Sequence, residues 1–273
     1  MPELKEEIKK ASEMIKKEIS GFKPDMGIIL GTGLGGLAKE INIEKEIDYE
    51  RIPGFPVSTV ETHSGRLLFG EMEGKKIAAM SGRFHIYEGY TMKQVAFPVR
   101  VMKELGIEYL FISNASGGIN PSFKAGEVAV IEDIINFMGG NPLIGPNDNS
   151  LGPRWPDMFE PLSKDLIAMA HKAAEELDIK LNEGVYMGVT GPNLETRAEY
   201  RMMGAFADMV GMSTVPEIIT GVHCGLKMLA LSVITDECAP DSLKPVDIKE
   251  ILGNAAKAEP KLTAIMKKLI KQL

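Results

Sequence analysis

Apolar residues recur at helical spacing along several stretches of the chain. The first stretch carries a row of aliphatic residues separated by lysines and glutamates: Leu4, Ile8, Ile15 and Ile19. This pattern predicts an amphipathic first helix that ends at Gly21. The same criteria predict helices over residues 92–105, 164–177 and 195–206, a helix ending near residue 224, and a closing helix that begins near residue 246.

Short apolar runs between these helices predict buried β-strands. They lie at residues 26–30, 109–114, 127–133, 184–191, 208–213 and 227–236, and residues 66–82 have the pattern of a hairpin that turns near Gly74. Strands alternate with helices, no linker composition divides the chain, and no internal repeat is visible. We therefore expect residues 1–273 to form a single α/β domain, with a largely parallel, twisted sheet flanked by helices.

Composition narrows the class of protein. The chain has 273 residues, of which 44% are hydrophobic and 25% charged, as is typical of a globular enzyme. A net charge of -7 argues against a nucleic-acid partner, because binding a phosphate backbone needs a basic face. The two cysteines, Cys224 and Cys238, lack the spacing of a disulfide framework or a zinc site.

The same features predict where the protein works. Few cysteines, with no pair to bridge, favour the reducing cytosol. The N-terminal twenty residues are charged throughout and lack the apolar centre of a signal peptide. No apolar run approaches the roughly 20 residues of a membrane span. We expect a cytoplasmic protein that does not bind membranes.

The segment from Gly82 to Tyr90 brings three functional side chains together. Arg83, His85 and Tyr87 stand two residues apart, so in an extended segment they would share one face. A guanidinium, an imidazole and a phenol on one face suit the binding of a phosphate next to a sugar. The alternative is an exposed edge strand with ordinary polar residues, and the segment alone does not decide between the two.

Residues 31–36 match the pattern G-x-G-x-x-G directly after a predicted strand. The pattern is typical of dinucleotide-binding folds, and Asp48 and Glu50 lie near the distance at which such folds contact a ribose. Thr32 favours another function, because a hydroxyl among the backbone N–H groups of a tight turn suits a small phosphate. The sequence that follows lacks a clear second strand–helix unit, so a dinucleotide site is the less favoured alternative.

Several predicted strands end in small or polar residues. Ligands of open α/β sheets bind beyond the carboxyl ends of strands, so four such residues could line one crevice: Thr32, Ala115, Ser213 and Asp236. For any one of them, a tight turn between strand and helix is an equally good explanation. The four together favour a ligand-binding crevice.

Seven motifs in order resemble the trimeric purine nucleoside phosphorylases. They are GTGLGGL (31–37), HSGRLLFG (63–70), GRFHIYEGY (82–90), NASGGINP (114–121), NPLIGPND (141–148), GPNLET (191–196) and GMSTVPE (211–217). The resemblance implies a phosphorylase-type α/β fold around a mixed sheet, assembled as a homotrimer. It also implies that a purine nucleoside and phosphate react to give the free purine and (deoxy)ribose 1-phosphate, without cofactor or metal.

The resemblance assigns roles to individual residues. It implies that phosphate is held by Thr32, His63, Arg83, His85, Ala115 and Ser213. It implies that the nucleoside is held by Tyr87 and Met212 at the ribose, by Ala115, Ser116, Gly117, Leu194, Glu195, Val210, Thr235 and Asp236 around the base, and by Trp155 from a neighbouring subunit. His85, Glu195 and Asp236 are the implied catalytic residues. The assignments agree with the chemistry, because cleavage of a glycosidic bond builds positive charge on the sugar and negative charge on the leaving base.

The chain departs from the family pattern at three positions. Asp236 stands where members selective for 6-oxopurines usually have an asparagine, so the base preference stays open. A protonated Asp236 could donate to the purine and also accept from a 6-amino group. Ile248 stands where a histidine commonly touches the 5′-hydroxyl, which would favour 5′-deoxy or 5′-alkylthio nucleosides. Leu194 replaces an aromatic residue against the base.

Three other functions therefore remain open at the level of sequence. A 5′-methylthioadenosine phosphorylase is favoured by Asp236 and Ile248. A non-catalytic nucleoside-binding protein on the same fold is less favoured, because a sensor does not need the full set of phosphate-binding residues. A dinucleotide-dependent enzyme is the most distant alternative.

Overall fold

The computed structural model describes residues 2–31, 35–57, 64–241, 243 and 245–273. Within these residues the strands are β1 Met26–Leu30, β2 Asn42–Asp48, β3 Arg66–Met72, β4 Lys75–Ser81, β5 Tyr109–Gly118, β6 Val128–Asn136, β7 Leu181–Gly188, β8 Met209–Gly211 and β9 Lys227–Glu237. The α-helices are α1 Pro2–Glu18, α2 Gly36–Lys39, α3 Met92–Leu105, α4 Lys164–Glu176, α5 Arg197–Met203, α6 Val215–His223 and α7 Ile248–Gln272.

All the described strands belong to one mixed sheet, part of which closes on itself. The order is β2-β3-β4-β1-β5-β8-β7-β6-β9, and β9 also pairs with β5. Strands β5, β8, β7, β6 and β9 therefore form a closed ring, from which β1, β4, β3 and β2 extend as an open arm. β1 runs parallel to β4 and β5, whereas β2, β3 and β4 are antiparallel neighbours.

Helices cover both parts of the sheet. α3 packs between α1 and α6, and α7 packs against β9 and α4. The predicted mixed α/β fold flanked by helices is confirmed. The expectation of one domain over residues 1–273 is compatible with the continuous sheet and stays a prediction. No helix in the described part of the chain is long and apolar enough to cross a membrane.

The strand β2 was not predicted. Most of its side chains are exposed, and Ile47 is its one fully buried residue in the described structure. It lies at the edge of the sheet and pairs with β3 on one side. An edge strand with so little buried surface carries a weak hydrophobic pattern, which is why the sequence did not reveal it.

A bulge interrupts the pairing of β5 with β9 near their carboxyl ends. Ser116 pairs with Ile234 and Gly117 with Asp236, so Thr235 is an extra residue on β9. Side chains of a regular strand alternate between the two faces of a sheet. The bulge breaks this alternation, and both Thr235 and Asp236 border the same cavity.

Candidate active site

A cavity lies where β1, β5, β8 and β9 end. Its lining combines residues from these strand ends with residues of the loops after β4 and before α5. One end of the cavity carries a buried guanidinium and an imidazole, and the other carries two carboxyl groups. The two ends are described in turn.

Arg83 is the centre of the first end and is almost completely buried, with 1% of its surface exposed. Its Nη2 and Nε lie 2.5 and 3.2 Å from Oε1 of Glu217 on α6, and Nη1 donates to the carbonyl oxygen of Ser113 on β5 at 3.0 Å. A buried charge is tolerated only when it is paired and hydrogen-bonded. These contacts therefore fix the guanidinium in place at the cavity wall.

His85 and Tyr87 stand beside Arg83. The Glu88 carboxylate contacts both the ring Nδ1 and the backbone N–H of His85, at 2.9 and 2.8 Å. The rings of His85 and Tyr87 stack with centroids 4.6 Å apart. Burial raises the pKa of Tyr87 to about 12, so its hydroxyl stays protonated and can donate to a sugar oxygen. Residues 86–88 form a 3-10 turn. The expectation of an extended segment is thus wrong beyond His85, although all three side chains still reach the cavity.

Ser213 closes this end of the cavity just before α6. The next residue, Thr214, has φ +72° and ψ -43°, a conformation that is strained for a β-branched residue. Asn114 of β5 donates to the Thr214 hydroxyl at 2.7 Å and holds the turn. The start of α6 follows directly, and the N-terminal end of a helix favours an anion. The strained turn thus places Ser213 at the end of the cavity that suits an anion.

Glu195 and Asp236 form the other end of the cavity. Oε2 of Glu195 accepts a hydrogen bond from the hydroxyl of Tyr200 at 2.8 Å. Burial raises the pKa of Glu195 above its ordinary value; the Tyr200 hydrogen bond opposes this shift and the charge of Asp236 adds to it. Asp236 contacts Thr235 through Oδ1 at 2.8 Å and accepts from the Cys238 thiol through Oδ2 at 3.2 Å. This end can therefore accept hydrogen bonds from a polar ring.

Comparison with known proteins identifies the family of this chain. The model of the phosphorylase superfamily matches residues 25–271. A protein named purine nucleoside phosphorylase 1 from Bacillus subtilis is 46% identical over 270 residues, which cover 98% of this chain and 99% of the relative. The purine nucleoside phosphorylase of Mus musculus is 44% identical over 245 residues, covering 86% and 85% of the two chains. The chain belongs to the phosphorylase superfamily, among the purine nucleoside phosphorylases.

Solved structures agree with this family. The crystal structure of isoform 2 of purine nucleoside phosphorylase from Schistosoma mansoni, in complex with cytosine and ribose-1-phosphate, superposes with a TM-score of 0.93 at 41% identity. The alignment covers 98% of this chain and 96% of the other. The predicted family and the predicted pentosyltransferase class are confirmed. The roles of individual residues in this phosphorylase stay predictions.

The structure brings most of the predicted site residues of the phosphorylase into one cavity. From the predicted phosphate set, the lining contains Arg83, His85, Ala115 and Ser213. From the predicted nucleoside set, it contains Tyr87, Ser116, Gly117, Leu194, Glu195, Val210, Met212, Thr235 and Asp236. The predicted phosphate ligands Thr32 and His63 lie outside the described residues.

Two predicted positions do not border this cavity. Ile248, expected near the 5′ position, begins α7 and has 62% of its surface exposed, whereas Ile251 one turn later lines the cavity. The expected contact of Ile248 with the 5′ position is not tested by these observations and stays a prediction. Trp155 lies in a separate hollow and is 86% exposed. Within one chain it therefore does not cover the site.

Sequence reasoning missed several residues of the site. Gly31, Asn114 and Gly211 line the cavity and lie inside the seven family motifs. Their place in these motifs was the available signal that they belong to the site. Glu88 and Glu217 also lay in those motifs, but their contacts with His85 and Arg83 depend on the fold. For Tyr200 no signal was available, because it resembles any buried aromatic residue of a helix. Among the described residues no cluster of His, Cys, Asp and Glu has the arrangement of a metal site, and the expectation that the reaction needs no metal stays a prediction.

The buried pair of Arg83 and Glu217 predicts a large stability effect. Glu217→Gln removes the negative charge beside a buried guanidinium, and we expect it to lower the free energy of unfolding by about 3 kcal/mol. Asp241→Asn is the matched control, because it breaks an exposed ion pair of similar length, 2.7 Å, to Arg201. The control should cost less than about 1 kcal/mol. Denaturant unfolding measures both variants, and equal losses would contradict this role of the buried pair.

Proposed function

We propose that this chain catalyses the phosphorolysis of purine nucleosides. The end of the cavity that carries Arg83 and His85, the anion end, binds phosphate. The end that carries Glu195 and Asp236, the base end, binds the purine base. The observation that carries the proposal is the arrangement of Arg83 and His85 at one end of the cavity and of Glu195 and Asp236 at the other. Breaking a glycosidic bond requires stabilisation of opposite charges at its two sides. Arg83 and His85 can hold a phosphate, whose negative charge stabilises the sugar, and the carboxyl groups of Glu195 and Asp236 can hydrogen-bond the base.

The proposed reaction proceeds by attack of a phosphate oxygen on C1′ of the sugar. The bond between C1′ and N9 breaks, and its electron pair passes to the purine. The leaving purine takes up a proton, which balances the one that the attacking hydrogen phosphate gives up. Phosphate held by Arg83, His85, Ser213 and the backbone of Ala115 lies below the sugar and stabilises its developing positive charge. Tyr87 and Met212 position the ribose. Inorganic phosphate is the co-substrate, and the reaction as proposed uses no cofactor or metal.

Phosphorolysis predicts that release of base depends strictly on phosphate. Inosine, guanosine, adenosine and 5′-methylthioadenosine should each be incubated with and without phosphate, and with arsenate as its mimic. Free purine and ribose 1-phosphate should appear together with phosphate, and free purine should also appear with arsenate. Release of base at the same rate in phosphate-free buffer would mean a hydrolase, and binding without any turnover would mean a nucleoside-binding protein. A strong preference for 5′-methylthioadenosine would favour the alternative phosphorylase.

Glu195 is proposed to accept the N1–H of a 6-oxopurine. Only its ionised form accepts this bond well, and burial raises the pKa of Glu195. Adenosine has no proton on N1 and does not need an ionised partner there. Purine nucleoside phosphorylase from Schistosoma mansoni has been solved in complex with adenosine, and a schistosoma purine nucleoside phosphorylase in complex with hypoxanthine, which supports both ligands as candidates for this chain.

The titration of Glu195 predicts a pH-dependent choice of base. As pH falls through its raised pKa, the ratio of kcat/KM for inosine to that for adenosine should fall, by on the order of tenfold per pH unit below the pKa. The ratio cancels the titration of phosphate, which both reactions share. In Glu195→Gln this pH dependence should vanish. A wild-type ratio that is constant with pH would contradict the assignment.

We further propose that the enzyme is a homotrimer in which Trp155 covers the sugar in a neighbouring site. Trp155 and Phe159 are both more than four-fifths exposed, which is unusual for large apolar residues. The loop that carries Trp155 is anchored, because Asn147 contacts Nε2 of His223 at 3.1 Å and donates to the carbonyl of Gly152 at 2.9 Å. Trp155 is thus held at the surface by an ordered loop.

The trimer predicts a mass near three times 29.8 kDa in analytical ultracentrifugation. Trp155 is the single tryptophan of the sequence, so its fluorescence should change when a nucleoside binds. Trp155→Ala should raise the KM for inosine by roughly tenfold, whereas Trp155→Phe, which keeps an aromatic ring, should change it far less. A fully active monomer would rule out a shared site.

A further inference from the structure

Each carboxyl group at the base end accepts a hydrogen bond from a buried side chain. The hydroxyl of Tyr200 donates to Glu195, and the thiol of Cys238 donates to Asp236. Tyr200 is 3% exposed and Cys238 is fully buried. Tyr200 lies on α5 and Cys238 directly follows β9, so the two donors come together only when the chain folds.

Tyr200 and Cys238 belong to one small hydrophobic cluster below the base end. The cluster also contains Ile119, Met187, Met203, Ala207 and Val210. Cys238 is fixed by its backbone N–H, which donates to the carbonyl of Gly118 at 2.8 Å. A Cβ on Gly117 would lie 2.5 Å from its sulfur, so this glycine of the cavity wall packs directly on the thiol. Cys238 thus contacts the wall of the cavity from the protein interior.

Both donors keep their protons at neutral pH. Burial raises the pKa of the Cys238 thiol, and the charge of Asp236 raises it further. Burial likewise raises the pKa of the Tyr200 hydroxyl. A thiol or phenol that stays protonated can only stabilise a neighbouring carboxyl oxygen as an acceptor. The two donors therefore influence which hydrogen bonds the carboxyl groups can offer to a base.

Thr235 adds a constraint on Asp236. Its hydroxyl lies 2.8 Å from Oδ1 of Asp236 and 3.1 Å from the carbonyl oxygen of Ser116. The hydroxyl has one proton, and the carbonyl of Ser116 can only accept. When Asp236 holds a proton, Oδ1 can therefore donate it to Thr235 while Thr235 donates to Ser116. Oδ2, which faces the thiol, is the oxygen that remains an acceptor.

We propose that Tyr200 and Cys238 are positioning residues that set the base preference of the site, Tyr200 by keeping Glu195 an acceptor and Cys238 by keeping Oδ2 of Asp236 an acceptor. The proposal rests on the phosphorolysis of purine nucleosides proposed above. An acceptor at Glu195 serves the N1–H of a 6-oxopurine, whereas an acceptor at Asp236 serves the 6-amino group of an adenine. The two residues should therefore bias the choice of base in opposite directions.

The test compares Tyr200→Phe with Cys238→Val, two variants that remove a donor. Tyr200→Phe keeps the ring, whereas Cys238→Val replaces the thiol with a side chain about one methyl group larger. The measured quantity is the ratio of kcat/KM for inosine to that for adenosine. Tyr200→Phe should lower the ratio about fivefold, and Cys238→Val should raise it about fivefold, the effect of one hydrogen bond. Both substrates are measured on one preparation, so a loss of folded protein cancels from the ratio.

Two controls separate positioning from packing. Cys238→Ser restores a proton donor and should keep the ratio within about twofold of wild type. Cys224→Val makes the same change at the other cysteine, which lies beside Arg100 and away from the cavity, and should leave the ratio unchanged. In Tyr200→Phe the pH at which the ratio falls should also move upward, because the Tyr200 hydrogen bond lowers the pKa of Glu195.

The outcomes distinguish this inference from the proposed function. If wild type releases no base from either nucleoside in a phosphate-dependent way, the proposed function fails. If phosphorolysis occurs but both variants keep the wild-type ratio, or shift it in the same direction, the positioning roles are overturned. If wild type turns over inosine alone, the ratio of kcat/KM cannot be measured. The inhibition constants of hypoxanthine and adenine are then compared instead. A lack of adenine inhibition in wild type and Cys238→Val alike would then overturn the role of Cys238.

Discussion

The buried ion pair of Arg83 and Glu217 is the interaction on which the arrangement of the site depends. It joins the segment after β4 to α6, and the bond from Arg83 to Ser113 ties both to β5. Because desolvated charges are tolerated only in good geometry, the three elements have one acceptable arrangement. Under the proposed function, phosphate meets a guanidinium that is already oriented, so its binding does not bear the cost of ordering this side chain.

The base end is organised by the closed part of the sheet. Closure brings the carboxyl end of β5 between β8 and β9, and the bulge at Thr235 turns two successive side chains toward one cavity. Glu195 comes from the loop before α5, and Tyr200 on that helix holds it. The anion end is thus fixed by a charge pair, whereas the base end is fixed by hydrogen bonds from buried donors to two carboxyl groups.

The sequence predicts contacts that follow from local patterns, and it misses those that arise only on folding. The motifs at the strand ends contain most residues of the cavity lining. Small residues occur there both because they fit tight turns and because they leave space for a ligand. The edge strand β2 escaped prediction, since only Ile47 is fully buried among its described residues. Cys238 acts through Asp236 across a bulge that no periodicity reveals. Ile251 lines the cavity from α7, and no motif marks this position in the sequence.

Under the proposed function, the base end of the cavity is the part that can discriminate between purines. Inosine and adenosine react with the same phosphate and carry the same sugar, so the proposed contacts of Arg83 with phosphate do not discriminate between them. A 6-oxopurine and a 6-aminopurine differ in which ring atoms donate, and a buried group left facing the wrong partner costs more than a missing contact. Burial raises the pKa of Glu195, which lowers the cost of protonating it when the base offers an acceptor at N1. Under the proposed role of Glu195, protonation of this carboxylate as the pH falls weakens the preference for inosine over adenosine.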